Sequence, residues 1–199
     1  MPVLSYQGKW PTIAPDVFLA EGAMVIGDVT IGKGSSIWYN TVLRGDTAPI
    51  RIGRQTNIQD NCTLHVDEGA PCVIGDECSI GHGAVVHGAT LGDRVLIAMN
   101  AVVLSRAEIG SETMIGACAL VGEGKQLAGG SLYVGIPAKL LRALSDAERA
   151  DLPDRAARYH RYAAEHHISQ VRVQARRPEA DDLEEEDGLM RKIFRVFTG

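Results

Sequence analysis

The sequence predicts an all-β solenoid, a parallel β-helix built from six-residue repeats and followed by one C-terminal α-helix. Three observations support this fold class. An aliphatic residue recurs every six positions over about 110 residues, a glycine often follows it directly, and large side chains are scarce, with 5% aromatic residues against 22 glycines in a chain of 199. Small β-branched residues and frequent glycines suit short strands joined by tight turns.

The aliphatic repeat defines the strands and their order. A spacing of six fits neither an α-helix, with its period of 3.6, nor a simple alternating strand. It fits a short strand plus a corner, in which the aliphatic side chain points into a narrow interior. The eighteen positions in this register are Ile13, Leu19, Val25, Ile31, Ile37, Leu43, Ile52, Ile58, Leu64, Ile74, Ile80, Val86, Leu91, Ile97, Val103, Ile109, Ile115 and Val121. One rung cannot bury its apolar side alone, so rungs must stack, and three hexads per coil give about six coils.

Two interruptions lengthen the repeat. The first extends the turn after Asp46, over 47–51, and the second follows His65, over 66–71. Insertions in a solenoid are extruded as loops, often on the functional face. We therefore expect these two segments to lie near a functional site.

The repeat is expected to stop near Val121, after which 135–139 leads the chain out of the coil. Ser145 to Glu148 fits a capping box, and Asp151 before a leucine and a proline offers a second helix start. We expect a helix over roughly 154–168 that packs along one flank of the coil.

Three segments follow from this organisation. Residues 1–140 form the β-helix domain, and 141–170 carry the C-terminal helix that packs on it. Residues 171–199 form an acidic tail, in which Glu179–Asp187 holds seven acidic residues in nine. Such a charge run is typical of a solvated segment. Leu189–Phe197 is apolar enough to dock on another surface, such as a neighbouring subunit.

Composition excludes several functions. The net charge of −5 gives no basic face for nucleic acid. No apolar run approaches the ~20 residues that span a bilayer, and residues 1–10 do not resemble a secretory leader, so we expect a cytoplasmic protein. The four cysteines lack CxxC spacing, which favours reduced, structural thiols. A disulfide or redox role for Cys62 and Cys72 is the alternative.

The register places histidines in one column. Three hexads after Leu43 the chain reaches Leu64, and three more bring it to Val86, so these residues stack on one face. The residues that directly follow them are Arg44, His65 and His87. Strands on adjacent coils lie ~4.8 Å apart. Two imidazoles at that separation can bind one ion with Zn–N distances near ~2.1 Å.

A third histidine stacks on the preceding face. Asp60 and His82 each lie two positions after their aliphatic residues, Ile58 and Ile80. His82 is near a corner and cannot easily meet His65 within the solenoid of one chain. Across an interface between the solenoids of two chains it could. The register thus predicts a site made of His65 and His87 from one chain and His82 from the next, and a homotrimer is the simplest closed ring for a triangular prism.

Structural roles for these histidines are the alternative, since a histidine on a solenoid can simply hydrogen bond across an interface. Three in this register favour a metal site. Three neutral imidazoles around Zn²⁺ leave a fourth position for a water whose pKa falls towards ~7. The other histidines, His160, His166 and His167, lie on the polar terminal helix and are expected at the surface.

These residues resemble the γ-class carbonic anhydrase family over about residues 10–140. The matching segments are Leu43-Arg44-Gly45-Asp46, Thr56-Asn57-Ile58-Gln59-Asp60-Asn61, His65, Ile80-Gly81-His82 and His87-Gly88. The resemblance implies a left-handed coil. It also implies zinc, or iron under reducing conditions, on the three histidines, with a metal-bound hydroxide that converts CO₂ to bicarbonate.

The resemblance also implies roles for the residues around the metal. Arg44 and Asp46 would form an ion pair across the subunit interface, with Arg44 also able to hold bicarbonate. Gln59 would hydrogen-bond the metal-bound water, and Asn57 would polarise CO₂. Asp60 would join the interface network. For Arg44, Asp46 and Asp60 a purely structural role, fixing the trimer, is the alternative.

The sequence departs from the family pattern where a proton shuttle is expected. The archetypal glutamate after the Arg-x-Asp segment is replaced by Thr47, and the loop after His65 is short, with only Asp67 and Glu68 as acids. A positioned carboxylate speeds proton export, so fast turnover is in doubt while metal binding is not. Tyr159 on the terminal helix could reach the site.

Acyl transfer is the main competing function. Acyltransferases of this repeat share the coil, the trimer and an exit segment like 135–139, but use one histidine as a base and bind CoA between subunits. A thioesterase-like relative acting on a CoA thioester and a metal-bound scaffold without turnover are further alternatives. Three histidines spaced so that they can bind one metal ion favour the CO₂ hydratase.

Overall fold

The computed structural model describes residues 3–174, and it is a parallel β-solenoid of about seven coils with one C-terminal helix. The backbone of 171–174, predicted as the start of the acidic tail, belongs to the C-terminal helix, and the rest of that tail, 175–199, lies outside the described residues. The elements are β1 Val3–Leu4, β2 Thr12–Ile13, β3 Phe18–Leu19, β4 Met24–Ile31, β5 Ser36–Ile37, β6 Val42–Ile52, β7 Asn57–Ile58, β8 Thr63–His65, β9 Cys72–Ile74, β10 Ser79–Ile80, β11 Val85–His87, β12 Thr90–Leu91, β13 Leu96–Ile97, β14 Val102–Val103, β15 Glu108–Ile109, β16 Met114–Ile115, β17 Leu120–Val121, β18 Gln126–Leu127, β19 Ser131–Val134, β20 Lys139–Ala143 and α1 Asp146–Gln174.

The strands stack on three faces. The histidine face carries β8, β11, β14 and β17, and the second face carries β9, β12, β15 and β18. The long strands β4 and β6 belong to both, because each continues around the corner between them. The helix face runs in the order β3, β5, β7, β10, β13, β16, β19 and β20. All pairs on these faces are parallel except β19 with β20, which are antiparallel.

Aliphatic side chains fill the interior in the predicted register. On the helix face the paired positions are Leu19, Ile37, Ile58, Ile80, Ile97, Ile115 and Tyr133. The five isoleucines in this column are each 0% exposed. Full burial of an isoleucine contributes about 1.5–3 kcal/mol, so the stacked column is a main source of stability.

The expected end of the repeat near Val121 is wrong. Leu127 and Tyr133 continue the spacing of six, and their strands pair with β15 and β16. A polar hexad before Leu127 and an aromatic residue in place of an aliphatic one at 133 hide the last coil from an aliphatic search. The solenoid therefore has about one coil more than the six predicted.

Left-handed backbone conformations turn the corner after the helix-face strands, as they do at other corners of the coil. Three residues after each helix-face isoleucine, Asn40, Asn61, Gly83, Asn100 and Cys118 have φ values between 57° and 70°. Asparagine and glycine tolerate this region better than other residues. A Cβ at position 83 would also lie 2.3 Å from the side-chain oxygen of Asn100. At this corner, the left-handed conformation of Gly83 sets the direction of the backbone directly after His82.

The two interruptions differ in structure. The first stays within β6 as a bulge: Gly27 pairs with Gly45 and Val29 with Ile50, so β6 carries three residues more than β4 between these two pairs. The second is a tight turn closed by two backbone hydrogen bonds between Asp67 and Ala70, of 3.2 and 2.9 Å. The second segment directly follows His65, and the first directly follows Asp46, whose carboxylate contacts His65.

Helix α1 begins earlier than the expected residue 154. Ser145 forms the capping box: its backbone N–H donates to the Glu148 carboxylate at 2.9 Å, and the Glu148 N–H donates to Ser145 Oγ at 3.3 Å. The first of the two capping signals is therefore the one used. Ala163 packs with Phe18 and Trp38 on the helix face, as expected for a helix along one flank.

By internal contacts the chain divides into two units, 1–163 and 164–199. In the second unit the described residues are the last turns of α1. Among the described residues, no helix is both long and apolar enough to cross a bilayer.

All four cysteines are free; Cys62, Cys72 and Cys78 are buried, and burial raises the pKa of each of these thiols to about 12. The alternative of a disulfide between Cys62 and Cys72 is not seen.

Candidate metal centre

His65 and His87 lie next to each other on the histidine face. Strands β8 and β11 pair in parallel, and this register sets His65 opposite His87. Their ring centroids are 4.9 Å apart, and Nδ1 of His65 lies 3.0 Å from Nε2 of His87. The two rings therefore converge through one nitrogen each.

The other ring nitrogen of His65 faces a carboxylate. His65 Nε2 lies 3.1 Å from Asp46 Oδ1. Burial would raise the pKa of Asp46, but hydrogen bonds from the Thr47 N–H, from His65 and from Arg44 outweigh it and hold that pKa below its ordinary value. An ionised carboxylate only accepts hydrogen bonds. His65 Nε2 therefore carries a proton, and in the neutral ring Nδ1 does not.

The other ring nitrogen of His87 faces a hydroxyl. Ser105 Oγ lies 2.9 Å from His87 Nδ1 and donates its proton to Asp67 Oδ2 at 2.7 Å. Because that hydroxyl has only one proton, it accepts from His87 Nδ1. In the neutral ring, His87 Nε2 is then unprotonated. The second interruption of the repeat thus supplies a carboxylate that orients a histidine, through a serine that sequence reasoning missed.

With both rings neutral, these assignments leave two unprotonated nitrogens 3.0 Å apart. Two lone pairs at that distance repel unless a proton or a cation lies between them. Tetrahedral Zn²⁺ with Zn–N near ~2.1 Å needs its nitrogens about 3.4 Å apart, which a small opening of this pair provides. Histidines that bind metal also usually donate their other N–H to a carboxylate or another acceptor, as both rings do here. The residues present fit a metal ion.

His82 lies apart from this pair, at the corner that follows β10. Its Nδ1 is 2.7 Å from Asp60 Oδ2, and its Nε2 is 3.4 Å from the Tyr159 hydroxyl. Over residues 3–166, no three His, Cys, Asp or Glu side chains of one chain form a metal cluster. Burial, and then the charge of Asp60, raise the pKa of Tyr159 above its ordinary value, so this tyrosine is a neutral hydrogen-bond donor.

The two amide side chains form a buried network behind His82. Gln59 Oε1 accepts from the His82 backbone N–H at 3.3 Å, and Gln59 Nε2 donates to Asn57 Oδ1 at 3.0 Å. Asn57 in turn donates to Ser79 Oγ at 2.8 Å. Asn57 is 1% exposed and Gln59 is 7% exposed. Asn57 therefore has almost no surface for a substrate, which argues against the expected direct contact with CO₂ and for a role in holding Gln59.

Arg44 pairs with Asp46 of its own chain, whereas the family resemblance implies a partner across a subunit interface. The Arg44 side chain is about half exposed and Asp46 is mostly covered. Asp46 thereby contacts both Arg44 and His65, so one carboxylate joins the arginine to the histidine pair. Asp60 also accepts a hydrogen bond from the Tyr39 N–H at 3.3 Å, in addition to its contact with His82.

Comparisons with known proteins agree with this fold. The model of the bacterial transferase hexapeptide family matches residues 11–45 and 88–123. A carbonic anhydrase of Geobacillus kaustophilus is 44% identical over 144 residues, which cover 72% of this chain and 79% of that protein. The mitochondrial gamma carbonic anhydrase 2 of Arabidopsis thaliana is 37% identical over 193 residues, covering 94% of this chain and 67% of that protein.

A solved structure of a hexapeptide transferase family protein from Anaplasma phagocytophilum has a TM-score of 0.78 to this chain at 39% identity, covering 81% of this chain and 95% of that one. The chain spans 60–67% of the length of the plant relatives. The identities extend over most of the chain, beyond the repeat alone. From its repeat, its histidine register and these similarities, the chain belongs to the γ-class carbonic anhydrase family of left-handed hexapeptide β-helices.

Proposed function

We propose that this protein is a zinc-dependent carbonic anhydrase that interconverts CO₂ and bicarbonate at sites between the subunits of a homotrimer in the cytoplasm, with iron as the alternative metal. The observation that carries this proposal is the convergence of His65 Nδ1 and His87 Nε2, 3.0 Å apart, with the other nitrogen of each ring held by Asp46 and by Ser105. His82 of a neighbouring subunit would be the third ligand. Zinc on three neutral histidines supplies an activated water at neutral pH.

The chain's own residues orient this site. Asp46 and Ser105 fix the protonated nitrogen of His65 and of His87, so the opposite nitrogens face the ion. Gln59 holds the His82 backbone through its carbonyl oxygen, and we assign it the role of hydrogen-bonding the activated water. Tyr159 donates to His82 Nε2 in the isolated chain; in the trimer that nitrogen would bind metal, leaving the hydroxyl free to bind water or bicarbonate.

Metal content tests the ligand set. We expect close to one Zn or Fe per chain in protein purified under reducing conditions, and loss of metal in His65→Ala, His82→Ala and His87→Ala. His160→Ala is the matched control, because its ring contacts the Gly34 carbonyl instead. Retention of stoichiometric metal in both His65→Ala and His82→Ala would refute the site.

Mixing two inactive variants tests whether the site lies between subunits. A trimer that combines His82→Ala chains with His65→Ala chains contains interfaces at which all three histidines are intact. Random assortment restores about one quarter of the sites in such a ring. A site within one chain would recover no metal. Stopped-flow CO₂ hydration by the metal-replete protein then separates a hydratase from a scaffold without turnover.

Acyl transfer or thioester hydrolysis on a CoA thioester is the second candidate. The observation that favours it is the similarity to a solved hexapeptide transferase family protein. Such an enzyme needs one histidine as a base and no metal. Saturable CoA binding, together with acyl transfer or thioester hydrolysis that is fully retained after the metal is chelated, would support the CoA-dependent function over the hydratase.

A further inference from the structure

A cleft between α1 and the helix face lies directly beside His82. Its volume is about 490 Å³, and its floor includes Gln59 and His82, with Tyr159 on the helix side. Clefts of roughly 300–1,000 Å³ hold organic ligands. A CO₂ molecule, with three heavy atoms, fills only a small part of this space. The cleft is therefore larger than hydration of CO₂ requires.

The helix side of the cleft is positively charged. Asp151, Arg155, Arg158 and Tyr162 lie on one stripe of α1 at helical spacing, and all four line the cleft. Two guanidinium groups face one carboxylate, whereas the whole chain carries a net charge of −5. Both arginines contact Asp151, Arg155 through Nε at 2.5 Å and Arg158 through Nη2 at 3.4 Å. Each guanidinium has five N–H donors, so one carboxylate does not use them all.

The opposite wall of the cleft is apolar. Leu96, Ala98 and Met99 line it, and Met99 is 53% exposed although it is a large apolar residue. The Tyr162 ring stands at the other side, 43% exposed and 5.7 Å from the Tyr159 ring. Methionine and tyrosine are well suited to cover a flat or flexible apolar ligand.

We propose that this cleft binds a small monocarboxylate with an apolar body, its carboxylate on Arg155 and Arg158 and its body between Met99 and Tyr162. Guanidinium groups bind carboxylates through paired, charge-assisted hydrogen bonds. This binding goes beyond CO₂ hydration and needs no metal. Tyr159 and His82 line the same cleft, so a bound carboxylate would lie beside the metal centre of the proposed function.

Calorimetric titration with benzoate and hexanoate tests the proposal. Benzamide is the probe that lacks the negative charge, and acetate is the probe that lacks the apolar body. We expect saturable binding of benzoate and hexanoate, in both chelator-treated and zinc-loaded full-length protein, and binding at least tenfold weaker for benzamide and acetate. Arg155→Met and Arg158→Met should each weaken benzoate binding about tenfold. Asp151→Asn removes the competing carboxylate and should tighten it.

Arg161→Met is the matched control, since Arg161 is exposed on α1 outside the cleft. The opposite signs expected for Asp151→Asn and the arginine variants separate loss of a ligand contact from general damage to the helix. Equal affinity for benzamide and benzoate would overturn the proposal, as would equal weakening by Arg161→Met. Benzoate binding that appears only with zinc would place the anion on the metal and also overturn it. Failure of the metal proposal alone would leave binding to the chelator-treated protein unchanged.

Discussion

Replacing Ser105 with alanine removes both hydrogen bonds through which its hydroxyl orients the His87 ring. The lost contacts are His87 Nδ1 to Ser105 Oγ, 2.9 Å, and Ser105 Oγ to Asp67 Oδ2, 2.7 Å. Loss of such an outer partner weakens metal affinity 10–100-fold, about 1.4–2.7 kcal/mol. Asp67 Oδ2 already lies 3.7 Å from His87 Nδ1 and can move closer. We therefore expect a loss near the lower limit, about tenfold, for Ser105→Ala, and a larger loss when Asp67→Ala is added.

Zinc affinity is measured by competition with a chromophoric chelator at neutral pH, and folding stability by urea unfolding of the same samples. Ser111→Ala is the control, because Ser111 Oγ accepts one hydrogen bond, from the Asp93 N–H at 3.0 Å, away from the histidines. Each variant should lose about 1 kcal/mol of folding stability. Only Ser105→Ala should lose zinc affinity. Unchanged zinc affinity in the Ser105→Ala, Asp67→Ala double variant, or an equal loss in Ser111→Ala, would refute the assignment of the His87 tautomer.

Three further predictions concern the fold. Ile97→Ala, at a 0% exposed position of the isoleucine column, should lower the free energy of unfolding by about 2–5 kcal/mol in urea titrations; a loss below about 1 kcal/mol would contradict close packing there. Gly83→Ala should cost about 1–2 kcal/mol, because φ is +70° at this corner and the new Cβ would meet Asn100. Adding Asn100→Gly should relieve the collision but not the backbone strain, and full recovery in the same titration would disprove the strain. The Arg142 side chain and Ser145 hold the pKa of Glu148 at about 2, below its ordinary 4.5. Its stabilising contribution should be complete above about pH 4.5 and should disappear as the pH falls towards 2; a Glu148→Gln protein with the same acid-unfolding profile as the parent would show that the capping carboxylate contributes nothing.

The repeat of six predicted the stacking register because each aliphatic residue can be buried only if it faces the interior. The pairing of Leu43 with Leu64 and of His65 with His87 follows from counting hexads alone. The count failed at Tyr133, where an aromatic residue fills the interior position at the end of the coil. It also could not show that residues 47–51 remain in an extended strand.

The contacts around the histidines could be predicted only in part. Register placed Asp60 one coil from His82, and the structure joins them at 2.7 Å. The contribution of Ser105 could not be foreseen, because it depends on the direction of a hydroxyl and on a turn that brings Asp67 back over the histidine face. Likewise, the burial of Asn57 depends on side-chain packing that a single sequence does not specify.

The reversal of direction at β20 has a consequence for solubility. A stack of parallel strands ends in a row of unpaired backbone groups, and such an edge is a template on which another molecule can add further strands. Here the last layer runs antiparallel to β19 and exposes Lys139 and Arg142 along it. A second solenoid approaching this end would meet a strand of opposite polarity and the positive charge of Lys139, while Arg142 is paired with Glu148. On the helix face, this antiparallel strand disfavours growth of the column into a fibre at this end.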